Sequence, residues 1–280
     1  MSPTAIVTGG AGGMGLATAR IMGRDHRVVV ADLDRDRVEA AAAGLRADGV
    51  DAVPAVCDIT DRASVAALFA TARAAGDLRA VVYTAGVSPQ MGDAAAIVRI
   101  NALGTVHLTR AALDAAAEGF ALVNVASIAG HMLPSVLHPT RTYRLALTDP
   151  ARFVEKLTAR ANLGPASGRP GSAYASSKSF VIWYTRRMAG AFGAKGARVL
   201  SVSPGTFDTA IGRLEEKSGS GRLVDYAALR RYGRPEEIAE HLAFCASTRP
   251  GYLTGTDILC DGGTRAGMGL KGMIAMARGS

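Results

Sequence analysis

Cysteine is scarce in this chain: Cys57, Cys245 and Cys260 are the three among 280 residues. They are too few and too scattered for a disulfide framework, and no two stand at metal-ligand spacing, which fits a reduced, cytoplasmic setting. The five histidines, His26, His107, His131, His138 and His241, form no helical ligand pair, so no metal site is expected. Aromatic residues make up only 5% of the chain and no basic run is interleaved with them. The net charge of +8 comes from dispersed arginines, which argues against a nucleic-acid partner. No apolar run reaches the length of a bilayer span, so no membrane association is expected. Met1 to Thr8 holds no basic stretch followed by an apolar one, so no export signal is read there. Nor does a Pro-, Ser- or charge-rich linker divide the chain. A single α/β domain over 1–265 followed by a tail over 266–280 is the simplest organisation.

Short apolar runs alternate with long alanine-rich amphipathic segments. The runs predict strands near 4–7, 27–31, 51–56, 79–83, 120–126, 197–202 and 256–260. The segments between them predict helices near 13–24, 34–47, 61–75, 95–117, 173–193 and 235–247. Asp61 or Thr60 can cap the third helix, and Pro235 suits the first turn of the last one. Strands alternating with helices in this way build a doubly wound parallel sheet, the Rossmann fold, whose ligands bind at the carboxyl ends of the strands.

Two motifs fall at those ends. Thr8-Gly9-Gly10-Ala11-Gly12-Gly13-Met14-Gly15 follows the first apolar run and opens the first helix. Glycine permits positive φ and lets a diphosphate approach the backbone, and the helix start offers free N–H groups. The next strand ends in Asp32, where a carboxylate can accept hydrogen bonds from an adenosine ribose and repel a 2′-phosphate, which favours NAD over NADP. Arg35 and Arg37 lie close by in sequence, where they could soften that preference, and they are read first as helix-surface residues. Further on, Tyr174-Ala175-Ser176-Ser177-Lys178 places a phenol and an ammonium at i and i+4 of a helix. The ammonium's charge favours the phenolate, giving a group that can donate and accept a proton near neutral pH.

These residues, in this order and spacing, resemble the short-chain dehydrogenases/reductases of the single-domain type, and the likeness spans nearly the whole chain. On that resemblance Ser127, Tyr174, Lys178 and Asn101 are the candidate catalytic residues. Thr8, Gly9, Gly13, Met14, Gly15, Asp32, Asp58, Ile59, Ala85, Gly86, Pro204, Gly205, Phe207 and Thr209, with Tyr174 and Lys178 again, are the candidate cofactor contacts. Thr84-Ala85-Gly86 is similar to the family's Asn-Ala-Gly turn, with its asparagine gone. The resemblance implies that Tyr174 protonates a carbonyl oxygen, that Ser127 bonds the same oxygen, that Lys178 reaches the nicotinamide ribose, and that Asn101 holds a water in a proton path. It implies a homodimer or homotetramer as well.

Two departures bear on the substrate. Only fourteen residues separate Gly86 from Asn101, so a helix that usually walls the site is reduced or absent there. An insertion over 131–171 precedes Tyr174. Asp149-Pro150 reads as the start of a helix inside it, Gly164 as its left-handed cap, and Phe153, Val154, Leu157 and Ala161 as one apolar face. That face packs on the body, roofs the substrate cleft or meets another subunit. Both departures resemble the bacterial 3α-hydroxysteroid dehydrogenase/carbonyl reductase branch. The stretch 210–232, with Ser218-Gly219-Ser220-Gly221 at its centre, resembles the family's mobile flap, where Leu214, Leu223 and Tyr226 are candidates to touch an apolar substrate.

The expected activity is NAD-dependent hydride transfer between nicotinamide and a secondary alcohol or ketone, apolar and cyclic or steroid-like. The alternatives are a non-catalytic redox sensor that keeps the NAD(P) site, or a reductase of carrier-bound ketoacyl chains. A nucleotide-sugar epimerase is disfavoured by the glycine spacing and the lack of a second domain.

Overall fold

The computed structural model describes residues 3–132, 134–216 and 220–269. Seven parallel strands, β1 Pro3–Thr8, β2 Arg27–Asp32, β3 Ala52–Val56, β4 Asp77–Tyr83, β5 Ala121–Val125, β6 Arg198–Pro204 and β7 Asp257–Cys260, form one sheet in the order β3-β2-β1-β4-β5-β6-β7. The chain reverses direction across the sheet between β1 and β4, which is the switch point where a ligand crevice opens.

The helices are α1 Gly13–Met22, α2 Arg35–Ala47, α3 Arg62–Ala75, α4 Ala94–Ile97, α5 Gly104–Ala115, α6 Thr140–Thr148, α7 Pro150–Ala161, α8 Arg169–Gly193, α9 Ala210–Glu216 and α10 Pro235–Ala246. Strand alternation sorts the core into two layers. Ala5, Val7, Val28 and Val30 pack beneath α1, α2 and α10, and Ile6, Val29, Val81 and Leu122 pack beneath α3, α5 and α8. Asp61 caps α3 by accepting from Ala63 N at 2.9 Å, as its position predicts. Among the described residues no helix is long and apolar enough to cross a membrane.

The helix expected over 95–117 is realised as α4, a π-turn at Val98–Leu103 and α5 in continuous succession. The shortening before it leaves only a 3-10 turn at Pro89–Met91 and the four-residue α4. α8 starts four residues earlier than its apolar pattern suggests, because Pro170 fits its first turn.

The insertion contains two helices, of which the sequence revealed one. Asp149 accepts from Arg152 N at 3.0 Å and starts α7, and Phe153, Leu157 and Ala161 are buried as expected. Gly164 is not the cap that the sequence suggested. α7 closes at Asn162, in the right-handed region, with its N–H on Thr158 O, and Gly164 does not adopt positive φ. The unanticipated α6 is held at its carboxyl end by Arg110, whose Nη2 donates to Ala146 O and Leu147 O at 2.8 and 3.0 Å.

Both helices pack against α8. The Phe153 and Phe180 ring centroids are 4.5 Å apart, those of Tyr143 and Phe180 are 5.3 Å apart, and Phe180 stacks on Tyr184 at 5.2 Å. Tyr143 O–H reaches Ser176 O and Ser179 Oγ, and burial pushes its phenol up to about 12. Of the three uses considered for the apolar face, packing on the body is the one the structure shows.

Candidate active site

β1 ends at the glycine turn, and the turn is shaped by contact with the start of the loop after β4. Gly9 has φ +66, and a Cβ on it would lie 2.9 Å from the Ala85 backbone. A Cβ on Gly15 would meet Gly9 O at 2.2 Å. Thr84 closes the seam: its hydroxyl donates to Thr8 O at 2.6 Å and lies against both glycines. Gly12 and Gly13 face outward instead. A Cβ on Gly13 would find only Thr209 at 3.5 Å, and one on Gly12 only Arg37 Nη2 at 3.3 Å. Met14 follows in the first turn of α1. The result is a cradle lined by backbone at a helix start, the form that a diphosphate fits.

Asp32, at the end of β2, accepts from Leu33 N at 2.8 Å and Ala11 N at 3.3 Å, so its carboxylate also braces the cradle. Arg37 is exposed on α2, as the sequence suggests, and its guanidinium also lies near Gly12. After β3, Asp58 Oδ1 accepts from both Thr60 N and Thr60 Oγ1 at 2.8 Å, and the buried Ile59 lies against Gly104. These residues rim the side of the cleft towards β2 and β3.

The other motif residues meet at the ends of β4 and β5. Lys178, on α8, is 7% exposed; its Nζ donates to Val125 O at 3.1 Å and lies 5.8 Å from the centre of the Tyr174 ring. A Cβ on Gly86 would fall 3.5 Å from Lys178 Nζ and 3.1 Å from Asn101 Oδ1, so these three residues converge. Asn101 sits in the π-turn with both ends of its amide on Val87: Oδ1 accepts from Val87 N and Nδ2 donates to Val87 O, each at 2.9 Å. It clamps the loop that follows Gly86.

Ser127 begins the 3-10 turn Ile128–His131 after β5, and its Oγ accepts from Ala129 N at 3.1 Å. The turn leans directly on α8, since a Cβ on Gly130 would touch the Lys178 backbone at 2.9 Å. Ser127 and Lys178 are thereby held to one small region.

From β6 the chain passes through Pro204 and Gly205, whose N–H donates to Cys260 O at 2.9 Å. Phe207 is buried beside Gly233, and Thr209 Oγ1 accepts from Gly212 N at 3.0 Å to start α9. α9 rests on the turn Pro89–Met91. Of the flap candidates, Leu214 is exposed, and Leu223 and Tyr226 are half-buried. Ser218 and Gly219 of the flap, and 270–280 of the tail, lie outside the described residues.

The sequence comparisons agree with this layout. A family model described as short chain dehydrogenase matches residues 3–138, and one described as Enoyl-(Acyl carrier protein) reductase matches residues 161–265. The stretch between them holds α6 and most of α7. The chain is 31% identical over 274 residues to a cis-4-hydroxycyclohexanecarboxylate dehydrogenase of Sinomonas cyclohexanicum, covering 94% of this chain and 96% of the relative. It is 30% identical over 279 residues to a 2-(S)-hydroxypropyl-CoM dehydrogenase 3 of Xanthobacter autotrophicus, covering 93% and 95%. A short chain dehydrogenase from Burkholderia cenocepacia, solved in complex with NADP, superposes with a TM-score of 0.73 at 25% identity, covering 93% and 97%. Since relatives align from end to end, and the cradle and the Tyr174–Lys178 helix stand at the switch point of the same sheet, the chain belongs to the short-chain dehydrogenases/reductases, oxidoreductases of alcohols and ketones that use a nicotinamide cofactor.

Proposed function

We propose that this protein is an NAD-linked dehydrogenase/reductase of an alicyclic secondary alcohol and its ketone. The observation that carries the substrate class is the exposed apolar side chains on the segments after β4, β5 and β6. Met91, Val136, Leu137, Ile211 and Leu214 are large apolar side chains left exposed, and all lie in the segments that follow those strands. Exposed apolar side chains on the loops that follow these strands suit a hydrocarbon ring. The relative that is named for a hydroxycyclohexanecarboxylate supports the same class.

In this reading the bound nicotinamide supplies or accepts the hydride. The chain's own residues manage the proton and the oxygen. Tyr174 gives its phenolic proton to the carbonyl oxygen in reduction and takes it back in oxidation. Ser127 donates a second hydrogen bond to that oxygen, and this bond strengthens as negative charge develops. Lys178, fixed by Val125 O, holds a positive charge beside the Tyr174 ring throughout. Asn101, through Val87, keeps the β4 side of the cleft in place.

Asp32 supports NAD as the preferred cofactor. Arg37, lying over Gly12, lets NADP bind as the weaker partner, since a guanidinium can pair with a 2′-phosphate.

The test is a panel of cyclohexanones, decalones, steroids and carrier-bound ketoacyl chains, read by nicotinamide absorbance with NAD(H) and NADP(H). Turnover of the monocyclic or bicyclic ketones with NADH supports the proposal. Turnover confined to carrier-bound substrates, or cofactor binding with no turnover anywhere, overturns it in favour of the carrier-linked reductase or the redox sensor.

A further inference from the structure

One polar cluster in the sheet is not accounted for by the reaction. Along β6, Val199 faces the α8 layer as an apolar residue should, but Ser201 and Ser203, the next two positions on that face, are fully buried hydroxyls. Beside them Asp257 opens β7 in register with Ser201, and its side chain has no solvent exposure. A carboxylate buried beneath a helix is costly unless each oxygen is matched. Here each is. Oδ1 accepts from Ser201 Oγ at 2.5 Å and from Ser203 Oγ at 3.0 Å, and Oδ2 lies 2.8 Å from His131 Nε2. Ser203 Oγ is also 3.1 Å from the same nitrogen. A carboxylate only accepts, so His131 carries its hydrogen on Nε2 and donates it.

His131 closes the 3-10 turn that Ser127 opens. Ser127 Oγ accepts from Ala129 N within that turn, so the direction of its hydroxyl follows the tilt of the turn. One side of the turn is set by Gly130 against the Lys178 backbone, and the far end by His131 on Asp257. The same carboxylate holds Ser203, two residues before Gly205, and heads the strand whose Cys260 O receives the Gly205 N–H. Three segments that lead into the cleft are therefore joined at one buried group.

We propose that Asp257, acting through His131, is a positioning residue that fixes the orientation of the Ser127 turn relative to the Pro204–Gly205 loop. The effect on turnover rests on the role proposed above for Ser127, whereas the effect on the turn itself does not.

Two readouts on the full chain separate these claims. In His131→Leu, amide hydrogen exchange over 127–131 and 203–206 is expected to speed up by about ten-fold, the loss of one charge-assisted hydrogen bond, with the glycine turn 9–15 unchanged. His131→Gln, which keeps a donor, should restore protection. Unchanged exchange, or acceleration spread evenly over the chain, overturns the proposal. If His131→Leu fails to fold, Asp257→Asn, which keeps the volume, is read in the same way.

In turnover of cyclohexanone with NADH, His131→Leu should lower kcat by about ten-fold with the KM for NADH nearly unchanged, and should add nothing in a Ser127→Ala background. Losses that multiply in the double variant overturn the link to Ser127. Absence of turnover by the unaltered protein on the whole panel defeats the functional reading, and the exchange experiment still decides whether Asp257 holds the turn.

Discussion

Replacing Phe153 by alanine asks whether the insertion supports α8 or roofs the substrate. Phe153 is fully buried, and its ring lies 4.5 Å from Phe180, two residues beyond Lys178 on α8. Truncating a phenylalanine in such a setting costs about 3–5 kcal/mol, the transfer term plus the cavity left by a rigid surround. With an unfolding entropy of about 2.1 cal/mol/K per residue, a chain of 280 residues has roughly 0.6 kcal/mol/K, so Tm should fall by about 5–8 °C. Thermal unfolding followed by circular dichroism measures this on the full chain. The KM for the ketone, measured below the transition, should change by less than about three-fold, since the ring faces the core and not the cleft. An unchanged Tm with a KM raised by ten-fold or more would show that Phe153 lines the substrate site and that the packing argument is wrong.

Three other outcomes follow from the geometry. Arg37→Ala should weaken NADP by about 5- to 12-fold, the loss of roughly 1–1.5 kcal/mol from one exposed charge-assisted contact, and leave NAD nearly unaffected; fluorescence titration with each reduced cofactor measures the ratio. Gly15→Ala places a methyl 2.2 Å from Gly9 O, a backbone atom that cannot move away freely, so the turn must distort at a cost of about 1–3 kcal/mol; NADH affinity should fall by about five-fold or more. Burial lowers His26, His107 and His241 below the usual 6.5, so the unfolded chain binds more protons than the folded one as pH falls through that value. Stability is therefore full above about pH 6.5 and declines below it, and His107→Asn should flatten part of that decline in Tm measured against pH.

Features encoded locally were legible in the sequence, and those made by distant partners were not. The strands announce themselves because both faces of the sheet are covered, so Val28 to Ala31 and Val81 to Tyr83 are continuous apolar runs. Asp61, Asp149 and Pro235 mark helix starts through chemistry that acts within three residues. The face formed by Phe153, Leu157 and Ala161 is visible as a helical period. α6 was missed because it buries only Tyr143 and Ala146, too few for a stripe, and takes support from Arg110 some 36 positions away in the chain. Gly164 misled because glycine after an apolar stripe suits a left-handed cap, whereas here the helix ends without one. Arg37 is exposed, as its place on the helix surface suggested, but its approach to Gly12 is a contact across 25 positions that no local pattern marks. The grip of Asp257 on His131 joins residues 126 positions apart, and its only trace was polar residues at alternate places, Ser201 and Ser203, in a strand that should be apolar on that face.

The proton transfer assigned to Tyr174 is the central claim, and Tyr174→Phe tests it most directly. The substitution removes one hydroxyl and keeps the ring beside Lys178. With cyclohexanone and NADH, kcat should fall by about 100- to 10,000-fold, the usual contribution of a positioned general acid, while NADH binding by fluorescence stays within about two-fold. Turnover within ten-fold of the unaltered enzyme would remove Tyr174 from the proton path and contradict the account.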